Sequence, residues 1–186
     1  MVYNLKKIVL ILLIIVVFSF EIITFASIFF PKVSLHYKIY YIEHKLKYWN
    51  DDKFNKYKRF FTYYNKDIKS YLSKNGWYGI ESNLVWSKGK ISKIYFPMDS
   101  VDNYTGILKI KVLILGNQII KLYVNKKFIC KKEYNNGYHF IECHFNPNIL
   151  KKSSINVFKF KFSNPHSPSK KDNRKLTMAL MSFELR

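Results

Sequence analysis

The chain has 186 residues, 18% of them aromatic, and a formal net charge of +20. That length holds one domain plus an appendage and excludes two full-sized globular domains, and so aromatic a composition excludes disorder throughout. The charge would attract nucleic acid or an anionic membrane surface, but the lysines are spread along the whole chain and alternate with apolar residues in ILKIKV and FKFKF, the pattern of a solvated strand face, which points away from nucleic acid.

The first element in chain order is an apolar run from Ile8 to Phe30, interrupted only by Glu21 and a few small polar residues. As a helix it measures about 34 Å, enough for a hydrocarbon core of about 30 Å, and Pro31 ends it. Residues 1–31 are therefore expected to be a transmembrane anchor. A carboxyl inside a bilayer is costly and marks function by default, so Glu21 is assigned to an intramembrane partner contact, with simple tolerance of a lone acid as the alternative. Lys6, Lys7, the apolar core, Thr24 and Ala26 also make a passable signal-peptidase substrate, although the long apolar tail after Ala26 favours retention. Lys32, Lys38, Lys45 and Lys47 follow the span as Lys6 and Lys7 precede it, so the positive-inside count does not orient it.

Residues 32–75 read as an amphipathic helical stalk. After the start signal Asp51-Asp52, apolar residues recur at Phe54, Tyr57, Phe60, Phe61, Tyr64, Ile68, Tyr71 and Leu72, one stripe with lysines on the other faces. From Gly76 the period changes to two. Strands are expected near Ile91–Phe96, Thr105–Leu115, Ile119–Val124, Lys127–Tyr134, Tyr138–Phe145, Ile155–Phe162 and Leu176–Leu185. So many short strands in residues 76–186 argue for a mainly β domain, an antiparallel β-sandwich of the jelly-roll or immunoglobulin-like type. In the sixth of these strands Phe158, Phe160 and Phe162 face one way while Lys159 and Lys161 face the other.

FICKKEYNNGYHFIEC reads as a hairpin around Asn136-Gly137, a strong type I′ turn signal. Counting outward from a two-residue loop sets Cys130 opposite Cys143 in a non-hydrogen-bonded pair, where side chains lie closer. A cross-strand disulfide and two reduced, buried cysteines both fit; a disulfide would favour an oxidising compartment.

GWYGIESNLVWSKGK, LYVNKKFI and FSNPHSPSKKDNRKLTMALMSFELR together resemble an uncharacterised β-sandwich family of bacterial envelope-glycan systems. That family occurs at the ends of membrane glycosyltransferases or phosphoglycerol-type sugar transferases, and as short anchored proteins. The residues that carry the resemblance are Gly76, Trp77, Glu81, Trp86, Ser87, Val124, Asn125, Ser167, Pro168, Asp172, Arg174, Leu176, Leu180, Ser182 and Leu185. Lys126 stands where a turn glycine is usual, and Thr177 where glycine often follows the leucine. The resemblance implies a cell-envelope glycan context for a single-pass protein of the inner (cytoplasmic) membrane, its C-terminal domain periplasmic or extracellular.

Trp77, Trp86, Glu81, Asp172 and Arg174 suit a carbohydrate site, where aromatic faces meet sugar C–H surfaces and charged groups bond hydroxyls. The competing reading makes the tryptophans core residues and Asp172–Arg174 a clasp. Hydrolysis by Glu81 and Asp172 would need the two carboxyls set about 5–10 Å apart across a sugar. His36, His44, His139, His144 and His166 lack a zinc spacing. Phosphate-loop, dinucleotide and nucleophile-elbow motifs are absent, so no catalytic residue, metal or cofactor is expected. The expectation is thus a non-enzymatic, membrane-anchored accessory of envelope polysaccharide synthesis or modification that docks on a membrane glycosyltransferase or polymerase or binds glycan. The alternatives are a carbohydrate-binding module with its own groove and a small transferase or hydrolase.

Overall fold

A run of apolar side chains broken only by Glu21 and a few hydroxyls leaves a helix no polar face. In a computed structural model, which describes residues 2–29, 33–34, 37–48, 60–62, 67–82, 84–98, 101 and 104–186, Val2–Phe29 is one α-helix, α1. Its segment Lys7–Phe29 is long and apolar enough to cross a membrane, with a mean hydropathy of 3.0. The hydroxyls of Ser19 and Thr24 donate back to the carbonyls of Ile15 and Phe20, both at 2.8 Å, so neither needs water. The chain forms two units, Met1–Ser34 and Leu35–Arg186.

The second unit is nearly all β. Its strands are β1 (Phe60–Thr62), β2 (Trp77–Glu81), β3 (Leu84–Ser87), β4 (Ile91–Met98), β5 (Ile107–Ile114), β6 (Gln118–Val124), β7 (Lys127–Tyr134), β8 (Gly137–His144), β9 (Ser154–Phe162) and β10 (Met178–Leu185). One sheet runs β2-β3-β10-β5-β8, with β1 also on β10; the other runs β4-β9-β6-β7. All of the strand pairs are antiparallel. Alternation places Leu108, Ile110, Val112 and Ile114 of β5 and Phe158, Phe160 and Phe162 of β9 in the interior between the sheets. Phe158 sits edge-on to Phe96 of β4 and to Phe183 of β10, with ring centroids 6.1 and 5.0 Å away, tying the two layers together.

The β-sandwich expected from the strand pattern is therefore present, with two departures. The helical stalk expected over 32–75 is not what the described part of that segment forms. Lys38–Ile42 makes a single π-type turn, Asp67–Tyr71 a short 3-10 turn, and Leu72 and Ser73 form β-bridges. Phe60–Thr62 is a strand, while residues 32, 35–36, 49–59 and 63–66 of the expected stalk lie outside the described residues. The reason is tertiary. β3 covers β10 only along Ala179 and Leu180, and the backbone of Ser182–Glu184 on that side is paired by β1 instead. Ile39 and Leu46 are buried with Tyr95 on the outer face of the four-stranded sheet.

The second departure is the hairpin around Asn136-Gly137. β7 pairs with β6 in one sheet, and β8 pairs with β5 in the other. The turn is thus an arch between layers. Each strand finds a long partner elsewhere, and in-and-out alternation is the same whether two strands lie side by side or face each other across a core. Cys130 and Cys143 are joined by a disulfide with Cα atoms 6.0 Å apart, an inter-sheet staple instead of a cross-strand one. The two-residue hairpin loop lies one connection earlier, at Asn125-Lys126, both with positive φ (48° and 74°).

Opening the staple by Cys130→Ser with Cys143→Ser is expected to lower the unfolding free energy by about 2–4 kcal/mol, read by urea denaturation of the detergent-solubilised chain. A reductant should reproduce the loss in the parent protein and leave the double variant unchanged. Lys126→Gly, which removes a Cβ from the left-handed region, is expected to stabilise by about 1 kcal/mol in the same assay.

Candidate ligand site

The site begins with a close approach of two backbones. Gly76 has φ +103°, and a Cβ there would lie 2.6 Å from the Ile91 carbonyl oxygen, so glycine alone lets the start of β2 lie against β4. The Ser92 hydroxyl then donates to the Gly76 carbonyl at 2.5 Å, and the Trp77 indole N–H donates to the Lys93 carbonyl at 2.8 Å. Trp77 is 2% exposed and edge-on to Phe160, with centroids 6.4 Å apart. It closes the edge of the sandwich where β2 of one sheet meets β4 of the other.

Outside that closed edge lies a concave pocket of about 720 Å³, formed by the segment around His44–Lys47, the turn at Ser73–Trp77, and β4. Lys45, Lys47, Lys74, Lys88, Lys90 and Lys93 line it, with Ile91 and Tyr95 supplying apolar surface, and no carboxylate is among its lining residues. Lys45 pairs with Glu43. Lys47 Nζ donates to the carbonyls of Trp77 and Tyr78, both at 2.8 Å; burial, with repulsion from Lys88, holds its pKa below the usual lysine value. The remaining four lysines make no ion pair among the described residues.

Tyr78 connects the pocket to a second group. Lys88 Nζ is 5.7 Å and Arg174 Cζ 5.6 Å from its ring centroid, within cation–π range, and its hydroxyl accepts from the Lys175 backbone N–H at 3.0 Å. Arg174 holds Asp172 in a fork, Nε to Oδ1 at 3.0 Å and Nη2 to Oδ2 at 2.7 Å, and its Nη1 binds Glu81. The side-chain bonds from Arg174, and then its backbone N–H, hold the Asp172 carboxyl below the usual aspartate range. The same partners raise the pKa of Arg174.

The structure thus divides the five residues singled out in the sequence. Trp77 belongs to the core. Glu81, Asp172 and Arg174 meet on the surface across 93 and 2 residues of chain. Trp86 lies half-buried on the outer face of the larger sheet, in a cross-strand row Trp86, Ala179, Leu113, Tyr138. Glu21 projects from α1 beside Phe18, Ile22 and Phe25. Sequence reasoning missed Tyr78 and the pocket lysines. Their only signal was GWYG, because the lysines are scattered from 45 to 93 and nothing local marks them as neighbours.

Among the described residues, no group of three or more His, Cys, Asp or Glu side chains is placed to hold a metal ion. No protein-family model matches the chain, and no curated protein matches it. Among solved structures, it is similar to an acetyl xylan esterase, Est2A, from the rumen bacterium Butyrivibrio proteoclasticus, at 14% identity and a TM-score of 0.44 over 68% of this chain and 31% of that one. A family 6 carbohydrate-binding module is similar at 7% identity and a TM-score of 0.43, over 68% of this chain and 91% of that one. The third is a family two carbohydrate esterase from Clostridium thermocellum, solved with cellohexaose, at 8% identity and a TM-score of 0.42 over 62% of this chain and 30% of that one. The chain spans about a third of the length of the two esterases.

A depressed carboxyl pKa means that the clasp contributes above the ordinary aspartate range and is lost as the pH falls through the lower folded value. Carboxyl NMR titration is expected to place the Asp172 midpoint below about 3.9, and Arg174→Ala should move it up toward that value. An unmoved midpoint would show that the guanidinium does not set it.

Proposed function

We propose that the protein is a membrane-anchored, non-catalytic glycan-binding module of a cell envelope. The observation that carries this reading is the concave pocket outside Trp77, whose volume falls in the range of small-molecule sites, about 300–1,000 Å³. Ammonium donors line it, and one of them, Lys88, lies over the ring of Tyr78, which Arg174 also approaches; such groups fix sugar hydroxyls in place. Among the described residues, no carboxyl lines the pocket to serve as the acid that a glycosidase uses. Asp172 and Glu81 are both bound by Arg174, and Asp172 is held in its ionised form. The apolar span of α1 supplies the anchor, and the disulfide fits the periplasm or cell exterior.

A second reading, docking on a membrane glycosyltransferase or polymerase, draws on Glu21, a carboxylate on a helix of exposed apolar side chains. It also draws on the exposed aromatics Tyr138 and Phe140 of β8.

Titration calorimetry of the full chain in nanodiscs against purified envelope polysaccharides is expected to show binding, weakened about tenfold or more by Lys88→Ala with Lys90→Ala. Loss of a single well-formed polar contact is worth on the order of 1 kcal/mol, and of a charged one more. Absence of binding to every polysaccharide, together with recovery of a membrane transferase in mild detergent that depends on Glu21, would replace this reading with the docking one.

A further inference from the structure

The register of the four-stranded sheet lines up like charges on its outer face. Lys93 of β4 lies opposite Lys159 of β9, Lys161 of β9 opposite Lys121 of β6, and Lys121 opposite Lys131 of β7. Strands are about 4.8 Å apart, and directly opposed like charges destabilise a sheet. The other sheet interleaves acids at Lys109, which lies between Glu142 and Glu184 as cross-strand partners, with Glu142 at 3.1 Å, and sets Lys111 opposite Phe140 and Ser182, with no lysine opposite a lysine among the described residues. Among the described residues, Lys131 alone on this face has such relief, from Glu133 at 2.7 Å. Burial, with repulsion from Lys161, Lys93 and Lys126, lowers the pKa of Lys159.

This ladder is continuous with the pocket, because Lys93 belongs to both. In its middle, Lys159 and Lys161 stand over the ring of Tyr123, at 4.4 and 5.4 Å from the centroid. At its far end Phe128, opposite Tyr123, is 57% exposed. We infer that the pocket and the outer face of the four-stranded sheet form one track for a linear acidic polysaccharide, a polymer whose sugar units carry phosphodiester or carboxylate groups.

The inference rests on the glycan-binding reading and adds to it the charge and the path of the ligand. Three features select an acidic glycan over other polyanions. Single-stranded nucleic acid needs successive free aromatic faces on which bases stack, whereas two ammonium groups stand over Tyr123 and Phe128 is the one exposed ring of the track among the described residues. A bilayer surface meets a flat face and does not enter a concave pocket, where Lys74, Lys88 and Lys90 would stay unpaired. Sugar rings carry both anionic groups, for the ladder, and C–H surfaces, for Phe128.

The test uses the full chain in phosphatidylcholine nanodiscs, with polygalacturonate, phosphomannan and neutral dextran as polymers, and oligothymidylate and phosphatidylglycerol vesicles as other polyanions. At least one acidic polymer is expected to bind ten or more times tighter than dextran. Its affinity should fall roughly a hundredfold between about 50 and about 200 mM salt, for about five released counterions at ~0.7 each. Lys159→Gln with Lys161→Gln should lower that salt slope by about 1.4, with the thermal unfolding temperature no lower than in the parent protein, since the change relieves opposed like charges. Equal, salt-insensitive binding of dextran would overturn the acidic track and leave glycan binding standing, and failure of every polysaccharide would remove both. Oligothymidylate or phosphatidylglycerol vesicles binding as tightly as the acidic polymers would overturn the assignment to a glycan.

Discussion

The structure depends on one constraint: in the central strands, buried apolar residues alternate with outward-facing ones, many of them lysines. Phe158, Phe160 and Phe162 cannot enter the core without Lys159 and Lys161 emerging on the opposite face. The same holds in β5, where four buried aliphatic residues alternate with Lys109 and Lys111. Burial of the aromatic and aliphatic face is the dominant favourable term in folding. The cationic exterior is its obligatory counterpart, and the two sheets handle it differently. One sets Lys109 between two cross-strand glutamates; the other lines up Lys93 with Lys159 and Lys161 with Lys121.

Closure of the sandwich is where architecture and site meet. Gly76 brings β2 against β4, and Trp77 fills the gap from inside, its N–H satisfied by the Lys93 carbonyl. That same carbonyl belongs to the residue whose side chain reaches the pocket and begins the lysine ladder. A buried tryptophan thus positions side chains that line the pocket. The disulfide, far along the chain, holds the opposite edge by joining β7 and β8 across the layers.

The surface cluster of Glu81, Asp172 and Arg174 has a related role. It fastens the loop before β10 to the end of β2, and the Tyr78 hydroxyl adds a bond to the Lys175 backbone. Ser87 takes part from below, accepting the Met178 N–H at 2.9 Å and bonding Thr177. Two stretches that the sequence separates by some ninety residues are fixed to each other.

The sequence by itself determined the apolar N-terminal span, the change of period at Gly76, and seven strands whose observed limits fall within two residues of the expected ones. It did so because helix and strand periodicity are local: a side chain's face follows from its neighbours in the chain. Tertiary structure alone decided which strand pairs with which, so that Asn136-Gly137 became an arch, Phe60–Thr62 a strand and the two cysteines an inter-sheet staple. It also decided the site, since Lys47, Lys88, Lys93 and Lys159 become neighbours only through register and sheet packing. Alternation states which side a residue faces but not what lies across from it, and recognition depends on what lies across.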